Sequence, residues 1–453
     1  MSVELSLGDD AVVTPEEERY RTLTPTSRRL FAEAAAHLPG GDSRSPLFHL
    51  PYPVVWKQGA GCRIEDVDGN QLLDCTGNHT SLALGYGHPV VEEAIRSQLG
   101  RGSVFPGTSE PQLALARALC ERVPSFDRVR FTNSGTEAVM MAVRAARAFT
   151  GRVKVAKVEG GYNGSFDAAM VSTAPPPGQA GPEARPRAVP GSAGLAPGTC
   201  ESTVVLPFND PGGASSLLDE HAGEVAAVVV EPVLGSAGMI PAERPYLEAL
   251  RQAATRSGAL LVFDEVVSFR VAYGGAQEHY GVTPDLTCLG KLVGGGLPLG
   301  VVGGRADVMA VFDPTRGSPV VPHPGSYNAN PLCLAAAGAT LDVLDRSAVK
   351  GLSESGEEVR TRVARALSVA GLPASVTGLG ALFGIHFTEG PVRTYRDAAL
   401  GDVGLRLRLF LGLFAEGVLI DSRGVGCLSL PMGEAELEAL VGAVEVVARG
   451  LAD

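Results

Sequence analysis

Between about residue 90 and residue 303, short apolar runs alternate with stretches of helical periodicity, and this alternation constrains the fold more than any other feature of the chain. The apolar runs are Val129–Thr132, Val153–Val158, Val225–Val230, Ala259–Phe263 and Leu299–Gly303. The helical stretches are Val90–Leu99, Glu110–Arg122 and Thr136–Phe149. Such alternation is typical of a parallel sheet that is covered by helices on both faces. We therefore predict an α/β fold with a mostly parallel central sheet sandwiched by helices.

The two ends of the chain have different patterns, which predict a second, smaller α+β domain built from both termini. Residues 1–75 resemble an arm, with a helix around Ser27–His37, a turn at 39–41 and a hairpin over Cys62–Cys75. After Asn330 the pattern predicts helices at Leu332–Leu344 and Ser353–Ala370, strands at Leu382–Phe387, Val418–Ile420 and Cys427–Leu430, and a final helix from Glu434. The predicted domains are 1–75 and 331–453, which form the small domain, and 76–330, the large domain.

One segment inside the large domain carries no regular pattern. Residues 174–199 are rich in Pro, Gly and Ala, which predicts a long flexible loop. A loop of this kind in a compact enzyme is often a lid over the active site. An insertion without functional consequence is the alternative interpretation.

Composition and charge exclude several classes of protein. The chain has 453 residues, of which 45% are hydrophobic and 19% charged, so a large core can form. The formal charge of −12 argues against nucleic acid as the main partner. No apolar run approaches the ~20 residues that span a membrane, and the N-terminus lacks the pattern of a signal peptide, so we expect a cytoplasmic protein with no membrane partner. The seven cysteines are scattered without a CxxC pair, which predicts no metal site.

A buried strand that ends in two acids is the strongest chemical signal in the sequence. The segment Ala259–Val266 reads ALLVFDEV. Ligands of open α/β sheets bind at the carboxyl ends of the strands. A carboxylate there can keep a pyridine nitrogen protonated, so that the ring withdraws electrons. Asp264 suits this role, although an acid at a strand end equally often caps a helix.

A lysine between an apolar strand and a glycine-rich turn is the second signal. The segment Thr287–Gly296 reads TCLGKLVGGG. A lysine that forms a Schiff base must project from a rigid element into a poorly solvated pocket, where it loses its proton readily. Lys291 meets this description, but taken alone it is better explained as a surface lysine. A P-loop is excluded, because Asp285 stands where that motif needs glycine and Leu292 where it needs a hydroxyl.

Two further turns complete the set of chemical signals. The segment Val129–Val139, VRFTNSGTEAV, runs from a strand through Ser134-Gly135-Thr136 into a helix. Small donors at a helix N-terminus suit a phosphate group, and an ordinary helix cap is the alternative. Tyr162 lies in the turn GGYNG after the next strand, where its ring could stack on a flat ligand or simply pack.

Along the chain the phosphate turn comes first, then Tyr162, Asp264 and Lys291, and the four features together match what a phosphorylated pyridine aldehyde requires. The sequence resembles the fold-type I, class III aminotransferases from about Pro39 to about Pro431. The motifs that carry the resemblance are FTNSGTEA, the aromatic-x-Gly turn, Glu231-Pro232, FDEV and LGK followed by GGG. The resemblance implies pyridoxal 5'-phosphate as the cofactor, with Lys291 as its Schiff-base lysine and Asp264 at its ring nitrogen. It also implies cofactor contacts for Ser134, Gly135, Thr136, Tyr162, Asn163, Glu231 and Val266. Ser326 resembles the family's threonine that reaches the phosphate from the neighbouring subunit, which implies a homodimer with a shared active site.

Two branches of the family resemble the chain most. PGG near residue 40 and the segment FRVAYGGAQEHYGVTPDLTCLGK are similar to glutamate-1-semialdehyde aminomutase. SRSPLF, GGRADVMAVFDP and the SRG near the C-terminus are similar to the aromatic β-amino-acid aminotransferases. This similarity implies that Arg44 binds the substrate carboxylate and that Arg423 is a second pocket arginine, since a guanidinium binds a carboxylate in a bidentate manner. A surface salt bridge is the alternative for both. His79 is a further candidate on the substrate side, although an unpartnered histidine is more often structural.

Three positions depart from the family pattern. Asn163 replaces the usual histidine after the aromatic residue, Ser326 replaces threonine, and Ala329 replaces glycine before Asn330-Pro331. The first departure removes a titratable ring from the edge of the cofactor. It either retunes the pocket or is neutral.

These residues predict a ping-pong transamination between a carboxylate-bearing β- or ω-amino acid and a keto acid. Lys291 would act as general base and acid, and Asp264 would keep the cofactor ring protonated. An intramolecular 2,1-aminomutase acting on a semialdehyde would use the same residues and is the alternative. A non-catalytic protein that keeps the fold for binding is a third possibility, which the presence of Lys291 and Asp264 disfavours.

Overall fold

The structure is a computed structural model that describes residues 13–315 and 317–452. Its α-helices are α1 (Pro15–Leu23), α2 (Pro25–Ala35), α3 (Gly77–Thr80), α4 (Pro89–Arg101), α5 (Glu110–Arg122), α6 (Gly135–Thr150), α7 (Pro211–Glu220), α8 (Arg244–Ser257), α9 (Ala276–Tyr280), α10 (Ala306–Met309), α11 (Pro331–Val343), α12 (Arg346–Val369), α13 (Tyr395–Ala399), α14 (Val403–Ala415) and α15 (Glu434–Ala452). Its strands are β1 (Trp56–Ala60), β2 (Arg63–Asp66), β3 (Gln71–Asp74), β4 (Arg128–Thr132), β5 (Lys154–Val158), β6 (Thr203–Leu206), β7 (Val225–Val230), β8 (Val233–Leu234), β9 (Ile240–Pro241), β10 (Leu260–Asp264), β11 (Leu286–Leu289), β12 (Gly300–Gly304), β13 (Ser375–Thr377), β14 (Leu382–His386), β15 (Val418–Leu419) and β16 (Val425–Cys427). The first twelve residues of the predicted N-terminal arm lie outside the described part.

The large sheet has the strand order β4-β12-β11-β10-β7-β5-β6 in the described residues. Its strands run parallel except β12, which is antiparallel to both of its neighbours. The prediction of a mostly parallel central sheet is therefore confirmed. The register Asp264↔Cys288 places the carboxyl end of β10 beside that of β11. Consequently the ends of the two strands that carry the predicted acid and the predicted lysine meet at one edge of the sheet.

Helices cover both faces of this sheet because its strands are apolar on both sides. All six positions of β7 and all five of β10 are buried. On one face α6 packs its alanine-rich side against β7, β10, β11 and β12, and on the other face α7 and α8 form a second apolar cluster. Burial on both faces is typical of parallel sheets and explains why these strands read as continuous apolar runs.

The two ends of the chain meet in a second set of sheets. The predicted hairpin is confirmed as β2 and β3, which pair antiparallel. Its strand β3 pairs in parallel with β15 from the far end of the chain, while β13, β14 and β16 form another sheet. Helix α1 packs against α14, where Arg19 forms an ion pair with Glu416 at 2.6 Å.

Several predicted boundaries were wrong. Helix α12 begins at Arg346, seven residues before the predicted start, because Asp345 caps it by accepting from the Ala348 amide at 2.8 Å. Helix α14 and strand β6 were not predicted at all. Of the helices that the structure describes, none is long and apolar enough to cross a membrane.

The Pro-rich segment 174–199 is held by contacts from helix α13. Arg396 donates to the carbonyl oxygens of Gly181 and Ala180 at 2.8 and 3.2 Å. The Tyr395 hydroxyl donates to the Pro175 carbonyl at 3.1 Å. Within the segment, Ala180 and Val189 are buried. The segment thus connects helix α13 of the C-terminal part to the edge of the large sheet.

Candidate active site

The two acids at the end of β10 have different surroundings. Successive residues of a strand point to opposite faces of the sheet. Glu265 accepts hydrogen bonds from the Ala276 amide and from the amide and side chain of Gln277, so it caps α9. Asp264 instead faces the Tyr162-Asn163 turn. The capping role that the sequence left open for Asp264 is therefore filled by its neighbour.

Asp264 is buried and bound through both carboxylate oxygens. The Asn163 side-chain amide donates to Oδ2 at 2.9 Å, and the Val266 backbone amide donates to Oδ1 at 3.1 Å. Burial raises the pKa of Asp264 above its usual range, while the hydrogen bonds from Asn163 and Val266 and the charge of Lys291 act in the opposite direction. The hydrogen bonds do not fully offset the cost of burying the charged form of Asp264. Such a carboxylate binds a cationic partner strongly, because the positive charge stabilises the ionised form.

Lys291 follows β11 after one residue, Gly290, at the start of a single-turn 3-10 helix (Lys291–Gly294), with a φ of 49°. Burial lowers the pKa of its amine, and the charge of Arg423 lowers it further, while Asp264 and Glu231 oppose the change. A positive φ in a lysine is a strained conformation that a functional site commonly retains. The lysine is therefore placed among the buried carboxylates with an amine that loses its proton more readily than an exposed one.

The N-terminus of α6 forms a cup beside these residues. Ser134 caps the helix by accepting from the Glu137 amide at 3.2 Å. The amides of Gly135 and Thr136 are the first two of the helix and have no partner within it. A Cβ at Gly135 would lie 2.8 Å from Val266 Cγ2, so only glycine allows Val266 and the helix end to come this close. Free amides at the positive end of a helix dipole bind anions such as phosphate.

The turn that carries Tyr162 packs on this cup. Gly164 has a φ of 106°, and a Cβ there would lie 2.9 Å from Thr136 Cα. The backbone amide of Tyr162 donates to Glu231 Oε1 at 2.7 Å, and the Gly235 amide donates to Glu231 Oε2 at 3.2 Å. Burial, together with the nearby charge of Asp264, raises the pKa of Glu231 to about 8. In the structure Glu231 thus supports the turn, while the Tyr162 side chain stays 39% exposed.

Arg44 and Asn78 lie together at the surface of the substrate side. Arg44 Nη1 donates to Asn78 Oδ1 at 2.8 Å. Asn78 and His79 belong to α3 but have φ values of 49° and 54°, so this short helical turn is left-handed. The side-chain partner of Arg44 is thus a neutral amide, and no ion pair of Arg44 forms within the described residues.

Arg423 forms a bidentate ion pair, in line with the salt-bridge alternative, with a largely buried partner, Asp421, that the sequence did not single out. Its Nε and Nη2 contact the two oxygens of Asp421 at 2.8 Å each. His79 Nδ1 lies 3.3 Å from Asp421 Oδ2 and 3.4 Å from Arg423 Nη2. Although burial opposes the effect, the hydrogen bonds from Arg423 and His79 hold the pKa of Asp421 well below its usual range. Asp421 follows strand β15, and the strand-end argument used for Asp264 could have identified it.

Ser326 lies in a different cavity. This cavity has a volume of about 670 Å³, and its lining includes Thr108, Arg130, His323, Gly325 and Ser326. Phe105 and Tyr327, near its rim, expose 43% and 65% of their surface. Neither Lys291 nor Asp264 is among the residues that line it. Ser326 therefore does not share this cavity with Lys291 or Asp264 of its own chain.

The edge of the large sheet combines a buried lysine, a buried carboxylate and an anion-binding helix end. This combination is typical of enzymes that react with amines through a phosphorylated carbonyl cofactor. A family model described as aminotransferase class-III matches residues 48–432. The chain therefore belongs to the class III aminotransferases, which depend on pyridoxal phosphate. The resemblance drawn from the motifs is confirmed.

Relatives from both predicted branches are among the similar proteins. The beta-phenylalanine transaminase of Variovorax paradoxus is 38% identical over 437 residues, which cover 96% of this chain and 95% of that protein. The glutamate-1-semialdehyde 2,1-aminomutase of Methanothermobacter thermautotrophicus is 39% identical over 428 residues, which cover 94% of this chain and 99% of that protein. The solved structure of an omega-transaminase from Sphaerobacter thermophilus matches with a TM-score of 0.91 and 44% identity, over 94% of this chain and 97% of that one.

The residues at the sheet edge fit pyridoxal phosphate. Gly135 leaves room for Val266 to approach the helix end, the amides beside Ser134 suit a phosphate, and a buried carboxylate and a buried lysine suit a ring nitrogen and an aldehyde. These groups lie at or just after the ends of strands of the large sheet or at the N-terminus of helix α6. The fold therefore supplies the donor set that this cofactor requires.

Proposed function

We propose that the chain transfers the amino group of a carboxylate-bearing β- or ω-amino acid to a keto acid in a ping-pong reaction. The observation that carries this proposal is that two guanidinium groups contact the same turn, Gly77–Thr80: Arg44 contacts Asn78, and Arg423 contacts His79. The charge of Arg423 also lowers the pKa of Lys291, so the arginine lies near the reacting amine. The names of the beta-phenylalanine transaminase and the omega-transaminase, two of the relatives above, support a β- or ω-amino donor.

Pyridoxal phosphate, when bound, supplies an aldehyde that condenses with amines and a ring that withdraws electrons from the amine-bearing carbon. Lys291 Nζ accepts the proton from that carbon, which its lowered pKa favours, and later returns a proton. Asp264 holds the proton on the ring nitrogen, and Asn163 orients the Asp264 carboxylate. In the whole cycle the donor amine becomes a carbonyl group and the acceptor carbonyl becomes an amine, so no oxidant is needed.

The two arginines have different capacities for a carboxylate. Arg423 uses its Nε and Nη2 edge for Asp421, and Nη2 also contacts His79 Nδ1, which leaves Nη1 for a second carboxylate. Arg44 is more exposed and bound only to a neutral amide, so it can turn toward a substrate at small cost. We propose that Arg44 binds the carboxylate of the amino donor. Arg423, which Asp421 holds in place, is a second carboxylate-binding site. His79 acts through Asp421 rather than on the substrate.

The proposal includes a cytoplasmic homodimer with a shared active site. Ser326, whose cavity Lys291 of its own chain does not line, would donate its hydroxyl to the phosphate bound by the other subunit. The exposed rings of Phe105 and Tyr327 beside its cavity favour burial against a second copy. Sedimentation velocity of the wild type, together with the cofactor dissociation constant of Ser326→Ala, tests this part. A monomer with unchanged affinity in the variant contradicts it.

A half-reaction tests the proposed activity. The purified, cofactor-loaded protein is mixed with a panel of α-, β- and ω-amino acids and with glutamate 1-semialdehyde, and the visible absorbance of the bound cofactor is followed. We expect rapid loss of absorbance with β- or ω-amino acids and its recovery on adding a keto acid. No loss with any amine, although cofactor is bound, would rule out transamination.

A 2,1-aminomutase is the second candidate, because the archaeal aminomutase shares 39% identity over nearly the whole chain. The two activities differ in whether the half-converted product leaves the site. Conversion of the semialdehyde without any keto acid, and no reaction with β-amino acids, would favour the mutase. Absorbance loss with a β-amino acid would exclude it.

A further inference from the structure

One peptide bond next to the proposed cofactor site is held at both ends by buried ionisable side chains. The Lys157 ammonium donates to the Gly161 carbonyl oxygen at 2.9 Å. The amide of the same peptide bond, that of Tyr162, donates to Glu231 Oε1 at 2.7 Å. Lys157 is 1% exposed and Glu231 5% exposed. A single peptide unit therefore separates a buried cation from a buried carboxyl group.

The burial of Lys157 is unusual for a lysine and is not explained by an ion pair. Its second hydrogen bond also goes to a carbonyl oxygen, that of Val171, at 2.6 Å. Burial lowers its pKa to about 7, although the charges of Glu231 and Glu159 oppose this. Taking an ammonium group out of water is costly, and an apolar side chain of similar volume would avoid that cost. What distinguishes Lys157 from such a side chain is its ability to donate to two backbone carbonyls.

A second lysine on the same strand gives the contrast. Lys154 also lies on β5, but its side chain is 26% exposed and pairs with Glu224 at 2.6 Å. It makes no contact with the turn at 160–164 among the described residues. Both lysines lie on β5, yet only Lys157 donates a hydrogen bond to the backbone beside Tyr162.

The peptide that Lys157 and Glu231 hold begins the turn that faces Asp264. The next residue, Asn163, donates to Asp264 Oδ2, and Gly164 packs on Thr136. Rotation of the peptide plane between residues 161 and 162 would displace both the Tyr162 ring and the Asn163 amide, since both follow it in the chain. With glycine at positions 160, 161 and 164, the turn has little stiffness of its own.

We propose that Lys157 is a positioning residue of the cofactor pocket, which together with Glu231 fixes the 161–162 peptide plane and so orients Tyr162 and Asn163. This inference rests on the proposed cofactor roles of Tyr162 and Asp264. Both hydrogen bonds of Lys157 go to backbone carbonyl oxygens, so we assign it no direct contact with substrate or cofactor. Its effect passes through a backbone hydrogen bond, so it is local to one turn and measurable without turnover.

The test compares K157M and K157Q with K154M, a matched control on the same strand. The amide hydrogen exchange of Tyr162 is measured with and without cofactor, along with the cofactor dissociation constant and exchange in β7. In K157M we expect Tyr162 exchange to accelerate on the order of tenfold, because one hydrogen bond to a charged group is lost. Cofactor affinity should fall by a similar factor, while β7 exchange stays unchanged. K157Q, which keeps a neutral donor, should recover part of both effects, and K154M should show neither.

Two outcomes overturn the inference. One is a folded K157M with unchanged Tyr162 exchange and unchanged cofactor affinity. The other is acceleration spread equally over β5 and β7, which would indicate a purely structural role. If K157M does not fold, the same measurements are made on K157Q and E231Q instead. Unchanged Tyr162 exchange in both of these variants also overturns the inference. A failure of the proposed transamination would show separately, as an inert wild type whose Tyr162 exchange still depends on Lys157.

Discussion

The Asn163 side-chain amide donates a 2.9 Å hydrogen bond to the Asp264 carboxylate, and this places a neutral group where class III aminotransferases usually have an imidazole. An amide does not titrate between pH 5 and 8, whereas a histidine with an ordinary pKa of about 6.5 does. The group that donates to Asp264 in the wild type therefore does not change its charge in this range. The replacement of the usual histidine by Asn163 therefore puts a donor that does not titrate beside Asp264.

We expect Asn163→Leu to weaken cofactor binding and turnover. Loss of the amide removes a hydrogen bond that lowers the pKa of Asp264, so less of its charge is available for the ring nitrogen. A hydrogen bond to a charged group contributes about 1.5–3 kcal/mol, which corresponds to a loss of at least tenfold in affinity. Equilibrium dialysis of the cofactor measures it. Asn163→His is the second variant, and its kcat/KM should gain a pH dependence near the imidazole pKa that the wild type lacks. An identical pH profile in both proteins would refute this explanation.

Lys291→Ala should abolish turnover without unfolding the protein. The lysine is proposed to carry the proton in both directions, and loss of such a group costs at least about 100-fold in rate. Single-turnover absorbance with the amine found in the panel measures the rate. Lys350→Ala is the control, because the Lys350 side chain is 78% exposed and lies on α12. Normal turnover by Lys291→Ala would remove the basis of the whole assignment.

Arg423→Gln should raise the pKa of the Lys291 nitrogen. A positive charge nearby disfavours protonation of that nitrogen, and the structure identifies Arg423 as such a charge. The spectral pH titration of the bound cofactor should therefore move to higher pH in Arg423→Gln and stay near the wild type in Arg423→Lys, which keeps the charge. If the two variants titrate alike, the effect does not come from the charge of residue 423.

The adjacent acids Asp264 and Glu265 should give opposite phenotypes. Asp264→Asn should lose activity and keep its stability. Glu265→Gln should keep activity in the folded fraction but lose stability, because the Glu265 carboxylate caps α9. Burial raises the pKa of Glu265 to about 7, above its unfolded value near 4.5. The native state then binds more protons than the unfolded state between these values, so stability falls as pH rises through this window. The free energy of unfolding of the wild type minus that of Glu265→Gln should decrease from pH 4.5 to pH 7 in urea titrations.

The elements that the sequence predicted well are those with a strong local pattern. Strand β7 (Val225–Val230) and helix α5 (Glu110–Arg122) have the predicted bounds, because a continuous apolar run and an amphipathic period are properties of the segment itself. Strand β6 was missed because four residues after a Pro-rich loop are too short for periodicity to show.

The residues of the candidate site also differ in whether the sequence could predict them. Asp264 and Lys291 could be proposed because strand ends of a parallel sheet meet at a known edge. The contact of Lys157 with Gly161 could not, since it depends on how the turn after β5 folds back in three dimensions. The split roles of Asp264 and Glu265 follow from strand alternation, but which of the two faces the site is decided only by packing.

Arg396→Met should loosen the Pro-rich segment 174–199. Arg396 forms a bidentate ion pair with Glu159 at 2.7 and 2.8 Å and donates to carbonyl oxygens of the segment, so one side chain joins α13, the end of β5 and the segment. Without it, we expect limited trypsin cleavage after Arg187 to accelerate, because cleavage needs local opening. Arg393→Met is the matched control, since Arg393 is exposed and pairs with Glu243 outside the segment. If the segment is a lid, Arg396→Met should also change how long the half-converted product stays bound, which chase experiments with a keto acid measure. Faster cleavage with unchanged product retention would identify the segment as a structural insertion and remove it from the mechanism.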